Sequence, residues 1–209
     1  MHQSSLDKMR CFVDEWLVAS RGSPLDVLDL GSMDINGSYR PLFDDPAWRY
    51  RGVDLAPGKN VDIVLADPYR WREIPAASQD VVVSGQAFEH MPFFWAGMLQ
   101  IERALRPGGL ACIIAPSRGY EHRYPVDCWR FYRDGFAALA DYAGMELLAA
   151  RTQWAREGYE QDDSDDWGDS IAIMRKPEGR RHWKARLVLA LRRRLDGIAL
   201  ARNALSEGD

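Results

Sequence analysis

Cysteine is scarce: Cys11, Cys112 and Cys128 are the only three in 209 residues. An odd number at no metal-ligand spacing excludes a disulfide scaffold and most zinc sites, and it suits a reducing compartment. Long apolar runs are missing too. No stretch approaches the ~20 residues that span a bilayer, and the opening MHQSSLDKMR does not read as a signal peptide. Together these absences predict a cytoplasmic location. Positive charge is not in excess. With 27 basic and 31 acidic residues the net charge is −4, which excludes a chain whose whole surface binds nucleic acid. Internal repeats and Pro- or Gly-rich linkers are also missing, so a second folded domain is not expected.

What is present is ordinary in amount and uneven in placement. Hydrophobic residues are 46% and charged residues 28%, as in soluble globular domains, and the length suffices for a core without covalent staples. The segment EGYEQDDSDDWGD (157–169) is strongly acidic, whereas 175–205 is strongly basic. The chain therefore reads as an acidic domain over 1–178 followed by a basic tail, 179–209. In the tail Trp183, Leu187, Leu191, Leu195 and Ile198 recur at helical spacing, with Arg186, Arg193 and Arg194 elsewhere on the helix. Such a helix can pack on its own domain, join a homodimer, or make peripheral contact with an anionic membrane. The acidic stretch lacks the D-x-D-x-D-G spacing of a calcium loop and reads as solvated.

Periodicity supplies the order of elements. Residues 5–20 put Met9, Phe12, Val13, Trp16 and Leu17 on one helical face. Strands are expected at 25–30, 50–55, 61–66, 80–85, 110–116, 145–151 and 169–176. Helices are expected at 87–106, stopped by Pro107-Gly108-Gly109, and at 136–145, closed near Gly144. The alternation predicts an α/β, Rossmann-like doubly wound sheet of seven mostly parallel strands, with an antiparallel edge strand and a helical C-terminal tail.

Ligands of such sheets bind at the carboxyl ends of the strands, where strand order reverses. The first strand ends in VLDLGSMDINGS, with Asp29 inside an apolar run and Gly31 at the turn; the second ends in Asp54, placed to accept both hydroxyls of a ribose. Dinucleotides and S-adenosylmethionine (SAM) both use this plan. A dinucleotide asks for G-x-G-x-x-G, so that a pyrophosphate can approach bare backbone at a helix mouth. Here Met33 takes the second glycine's place and Asp34 would repel phosphate. SAM has no phosphate and carries a positive sulfonium, so it tolerates the acidic turn.

The ordered set VLDLGSMDINGS, YRGVDL, VLADPYRW and DVVVSGQAFEHMPFFWAGMLQIERALRPGGLACIIAPS resembles the class I SAM-dependent methyltransferases over residues 24–176. The resemblance implies Asp29 and Gly31 at the methionine end of SAM, Asp54 on the ribose and Asp67 near the adenine amine. Gly85 and Gln86 would line the floor under the sulfonium, and Ser32, Gly37 and Leu55 complete the cofactor set. The usual second glycine of the first motif is absent, so the loop should differ, with Gly37 opening the next helix. NGSYRPLF, GVDLAPGKNVD and YPVDCWRFY resemble a bacterial subgroup that methylates sugars and glycans, mannosides of methylated polysaccharides among them.

A sugar hydroxyl is a poor nucleophile and needs a base or a metal. His90 suits a base at neutral pH, or else merely caps its helix. His122 and Asp127 are further candidates, on a segment expected to roof the acceptor. Glu89, Tyr124, Trp129 and Arg130 are candidate substrate contacts, Trp129 as a flat surface for a pyranose ring and Arg130 alternatively as a loop staple. Magnesium held by Glu89, His90 and Asp127 is an open option. The favoured reading is O-methylation of a sugar or oligosaccharide hydroxyl. N-methylation of a small molecule or sugar amine comes second and a non-catalytic SAM-binding partner protein third. An NAD-dependent oxidoreductase is a distant fourth.

Overall fold

The computed structural model describes residues 2–178 and positions 187, 191, 192, 194 and 195. Its centre is a seven-stranded sheet in the order β3-β2-β1-β4-β5-β7-β6. The strands are β1 (Leu25–Leu30), β2 (Trp48–Asp54), β3 (Ile63–Val64), β4 (Gln79–Gly85), β5 (Leu105–Ala115), β6 (Glu146–Thr152) and β7 (Ser170–Arg175). The first five pair in parallel, and β7 runs antiparallel to both of its neighbours. The expected antiparallel strand is thus β7, one place in from the sheet's end, with β6 outermost.

Alternation along the strands divides the core in two, because successive side chains leave opposite faces. Leu28, Leu30, Val82, Ala111 and Ile113 pack on one face with α2 (Phe94–Ala104) and α3 (Arg133–Ala143). Val27, Val81, Val83, Cys112 and Ile114 pack on the other with Met9, Phe12 and Val13 of α1 (Gln3–Trp16). The predicted face of α1 is thus the buried one. Gly144 closes α3 in the left-handed conformation at φ 66°, its N–H reaching Ala140 and Asp141 carbonyls.

Two expected helices differ. The run 87–106 is a 3-10 turn at Phe88–His90, then α2 from Phe94. Pro92 explains the break, since it lacks an N–H and disfavours helical backbone at the residue before it; Met91 is extended at φ −99°, ψ 104°. The same segment ends at Ala104 rather than Arg106, because Leu105 pairs with Gln79 and Gly109 accepts from Lys176 N–H at the sheet. No α-helix opens at Gly37. The chain between β1 and β2 is a loop with one 3-10 turn, Arg40–Leu42, led by Pro41.

Most of the tail, 179–209, lies outside the described residues, and with it the amphipathic-helix reading. Within it Leu187, Leu191 and Leu195 are exposed, and the Arg192 guanidinium donates to the Tyr142 carbonyl at 2.6 Å. No described helix is long and apolar enough to cross a membrane.

Phe136 of α3 is fully buried and stacks on Phe131, centroids 5.3 Å apart, so α3 also anchors the loop that follows β5. Phe136→Ala should cost about 3–5 kcal/mol in urea unfolding; a loss under about 1 kcal/mol would mean the site collapses without a cavity.

Candidate functional site

Strand order reverses between β1 and β4, and a cavity of about 570 Å³ opens at their carboxyl ends. Bare backbone makes room for it. Gly31 turns the chain out of β1 at φ 75°, and a Cβ there would stand 2.5 Å from the Ala87 Cβ. Gly85 ends β4 over the buried Tyr39 ring, whose hydroxyl sits where a Cβ at 85 would go. That hydroxyl shares a 2.5 Å hydrogen bond with Ser5 Oγ of α1. Both glycines are therefore sterically required.

Asp54 stands at the end of β2 on the cavity wall. Its Oδ2 accepts from Met33 N–H at 3.0 Å and its Oδ1 from Leu55 N–H at 2.7 Å. These bonds fold the Gly31–Gly37 loop back over the strand ends, so Met33, Ile35, Asn36 and Gly37 line the cavity. Asp34 turns away: its carboxylate takes Gly37 N–H at 2.8 Å and the Lys59 ammonium at 2.6 Å.

Asp29 lies under this loop and does not line the cavity. It is 2% exposed, accepts from the Tyr50 hydroxyl, and is pushed up to about 7 by burial; the Tyr50 bond and Arg40 oppose the rise. Arg40 in turn covers the Tyr50 ring at 4.6 Å and donates to Asn60 and Asp62. Two other expected cofactor residues are also absent from the cavity lining. Ser32 donates to the Asn60 carbonyl at 3.2 Å, and Asp67 accepts from Tyr69 N–H at 2.8 Å in its own turn.

The far wall comes from segments remote in sequence. Gln86, at φ 56°, donates its amide to Asp169 Oδ1 at 2.9 Å. Asp169 is fully buried; burial raises its pKa, but bonds from His2 and Ser4 and the charge of His2 outweigh this and hold it low. His2 lies parallel to Trp167, and Ser4 Oγ reaches Asp169 at 2.7 Å. Asp162 and Ser164 accept the Gln3 and Ser4 N–H groups, so the first turn of α1 is capped by a distant segment that ends in α4 (Ser164–Trp167). The acidic stretch is ordered around buried Asp165, which takes the N–H groups of Glu157, Gly158 and Tyr159. His2, Tyr120, Trp167, Asp162 and Asp163 were not legible as wall residues, because no local pattern marks them.

The 88–90 turn points His90 to the cavity and Glu89 into the protein. His90 Nδ1 donates to the Val126 carbonyl at 2.6 Å, which leaves Nε2 as the lone-pair nitrogen. Burial, with His122 nearby, lowers the His90 pKa and keeps the ring neutral at pH 7. Glu89 is 0% exposed and burial pushes it up to about 8. Loop 120–131 is bonded to this turn, with Cys128 N–H on the Glu89 carbonyl at 2.7 Å and the Trp129 indole on the Met91 carbonyl at 3.1 Å.

His122 and Tyr124 of that loop line the cavity. Asp127, Trp129 and Arg130 do not. Asp127 is gripped by both Arg130 amines, at 2.6 and 2.8 Å, and by His122 N–H, and the guanidinium depresses its pKa. A carboxylate so held is a poor proton acceptor; Asp127 and Arg130 fasten the loop, and Trp129 packs against Phe94. The structure brings Gly31, Gly37, Asp54, Leu55, Gly85, Gln86, His90, His122 and Tyr124 to one cavity.

Residues 28–113, from β1 to β5, match the family described as methyltransferase domain. No curated protein matches the sequence. Among solved structures, Burkholderia thailandensis 1,6-didemethyltoxoflavin-N1-methyltransferase, with bound 1,6-didemethyltoxoflavin and S-adenosylhomocysteine, superposes at TM-score 0.63. Identity is 18%, over 84% of this chain and 79% of that one. Haemonchus contortus phosphoethanolamine N-methyltransferase 2 in complex with SAM gives 0.59 at 15% identity, over 82% of this chain and 53% of that one. The [4+2]-cyclase SpnF gives 0.61 at 15%, over 83% and 82%. The class is thereby set: the chain has the Rossmann-like methyltransferase fold. Within that fold, the segment matching the methyltransferase domain is the part that builds the β1, β2 and β4 walls of the cavity.

The buried acid of β1 gives a pH signature. Burial pushes Asp29 up to about 7 in the native state from the usual 3.8, so between those values the native state keeps a proton that the unfolded chain has released. Stability from this group is full below about pH 4 and declines as pH rises to about 7. Asp29→Asn should remove that decline, narrowing the difference in unfolding free energy between pH 5 and 7.5, read from urea curves, by an amount on the order of a few kcal/mol. Parallel pH curves for the two proteins would show that Asp29 ionises as an ordinary carboxyl.

Proposed function

We propose that the protein is a SAM-dependent O-methyltransferase whose acceptor is a sugar or oligosaccharide hydroxyl. The observation that carries this reading is a single cavity with a carboxylate for a ribose, Asp54, and a neutral imidazole, His90, both on its wall. Asp54 keeps acceptor capacity on both oxygens beyond its two backbone bonds. Gly31 and Gly85 supply bare backbone for the methionine portion, and Gln86 closes the floor beneath the sulfonium. A dinucleotide is disfavoured by the same loop, since a pyrophosphate needs a helix mouth and β1 leads into none.

Transfer is an in-line displacement, so placing the acceptor oxygen about 3 Å from the methyl carbon does much of the work. The oxygen lone pair forms the O–C bond while the C–S bond breaks and its electron pair stays on sulfur. The hydroxyl proton passes to His90 Nε2. Tyr120 and Tyr124, 65% and 64% exposed beside the cavity, offer flat faces of the kind pyranose rings lie against. Neighbours that methylate nitrogen and one that is a cyclase show that the fold admits other chemistry, and amine methylation is the second reading. An amine loses its proton without strong base help, so that reading predicts indifference to His90.

Asp54→Ala should weaken SAM binding at least tenfold by calorimetry, since hydrogen bonds to a charged acceptor are worth about 1.5–3 kcal/mol; an unchanged affinity would misplace the ribose. His90→Ala should leave SAM affinity intact and lower turnover on a hydroxyl acceptor by about 10²–10⁴. Undiminished turnover with that variant would transfer the reading to an amine.

A further inference from the structure

One group at the acceptor end is unexplained by methyl-donor binding. The Glu89 carboxyl is fully buried, and neither of its oxygens has a hydrogen-bond partner on another residue. An unpaired buried carboxyl is costly, and folding retains such a group when something else satisfies it. Its neighbours are two imidazoles. One donor atom each from Glu89, His90 and His122 lie within 4.8 Å of one another. His90 Nε2 stands 3.7 Å from Glu89 Oε1, and His122 Nδ1 is buried without a hydrogen bond.

The surroundings of the His90 ring are those that orient a metal ligand. His90 is fixed through its other nitrogen by the Val126 carbonyl at 2.6 Å. His122 has Asp127 Oδ2 at 3.3 Å from Nδ1, and Asp127 is itself locked by Arg130. A ring nitrogen held by a carbonyl is a recurrent outer-shell arrangement of metal-bound imidazole. Glu89 and His90 sit on one turn, and His122 on a loop that this turn anchors, so the three donors converge from segments bonded to each other.

We propose that Glu89, His90 and His122 form a binding site for a divalent metal of the zinc class. Two imidazoles with one carboxylate suit Zn²⁺, Co²⁺, Mn²⁺ or Fe²⁺, whereas Mg²⁺ prefers all-oxygen shells that keep several waters. This differs from the magnesium option in both ion and ligands, since Asp127 is committed to Arg130. Three protein ligands leave a coordination position open to the cavity, as catalytic sites do. Metal binding stands on this geometry alone. The use of the open position, to hold the acceptor hydroxyl and acidify it so that its proton passes to water, rests on the methyltransferase reading; His90 Nε2 is then a ligand and the ion replaces it as the source of activation.

The test is a Co²⁺ titration of the tag-free full-length chain, followed by visible absorption, with a SAM titration of each protein in parallel. The expected result is one equivalent of Co²⁺ in a low-symmetry, strongly absorbing site, displaced by equimolar Zn²⁺ and not by millimolar Mg²⁺. Glu89→Gln and His122→Ala should each weaken Co²⁺ at least tenfold and leave SAM affinity unchanged. His122 lies on a surface loop, so its variant decides the matter if Glu89→Gln fails to fold. No Co²⁺ absorption in the wild-type chain, or unchanged Co²⁺ affinity in the folded variants, overturns the metal site. Loss of SAM binding by the wild-type chain with Co²⁺ binding intact would instead overturn the methyltransferase reading and leave the metal site standing.

Discussion

The structure depends on the carboxylate of Asp169. It is fully buried just before β7, and it gathers His2, Ser4 and the Gln86 amide around itself. Three segments far apart in sequence meet there: the start of α1, the end of β4 and the approach to β7. A buried charge is tolerable only when hydrogen bonds satisfy it, so these segments must close on one another for the carboxylate to be buried at all. Their closure makes the inner wall of the cavity. It also sets the His2 and Trp167 rings parallel, and Trp167 in turn carries His122 against its face, centroids 4.5 Å apart.

Opposite that wall, the two acids of β1 and β2 have divided their work. Asp54 stays at the cavity and spends part of its acceptor capacity on backbone N–H groups, which shapes the loop without removing its negative charge. Asp29 has withdrawn beneath the loop, where burial weakens it as an acid and Tyr50 supplies its hydrogen bond. Strand alternation accounts for the difference: Asp29 shares the face of Val27, which is packed by α1 and by the aromatic residues of the β1–β2 connection. The same separation recurs in the turn after β4, where Glu89 turns inward and His90 outward from adjacent positions.

The loop after β1 is the chief departure from a doubly wound plan. In place of a helix it has a hydrogen-bonded meander held by Asp54, Asp34 and Arg40. Losing the helix removes a positive dipole end that would favour phosphate, and it lets Met33, Ile35 and Asn36 reach the cavity from above. A sulfonium-bearing ligand gains from this exchange, because the pocket keeps its carboxylate and offers no phosphate cradle.

The seven strands, their alternation with helices and the carboxyl-edge location of Gly31, Asp54, Gly85 and His90 were legible in the sequence. Each rests on a local signal: apolar period, glycine where a Cβ would clash, or an acid at a strand end. Local signals also failed locally, as when helical period across 87–106 concealed the break that Pro92 imposes. What only tertiary structure decided was which polar groups face the cavity. Asp29, Asp67, Asp127 and Trp129 carry suitable chemistry, but Tyr50, a neighbouring turn, Arg130 and the Met91 carbonyl claim them. His2, Trp167 and the unpaired Glu89 acquire their positions only when remote segments meet around buried charge. Hydrogen-bond partners and burial are properties of that packing, so residue type and spacing alone could nominate these groups and could not assign their sides.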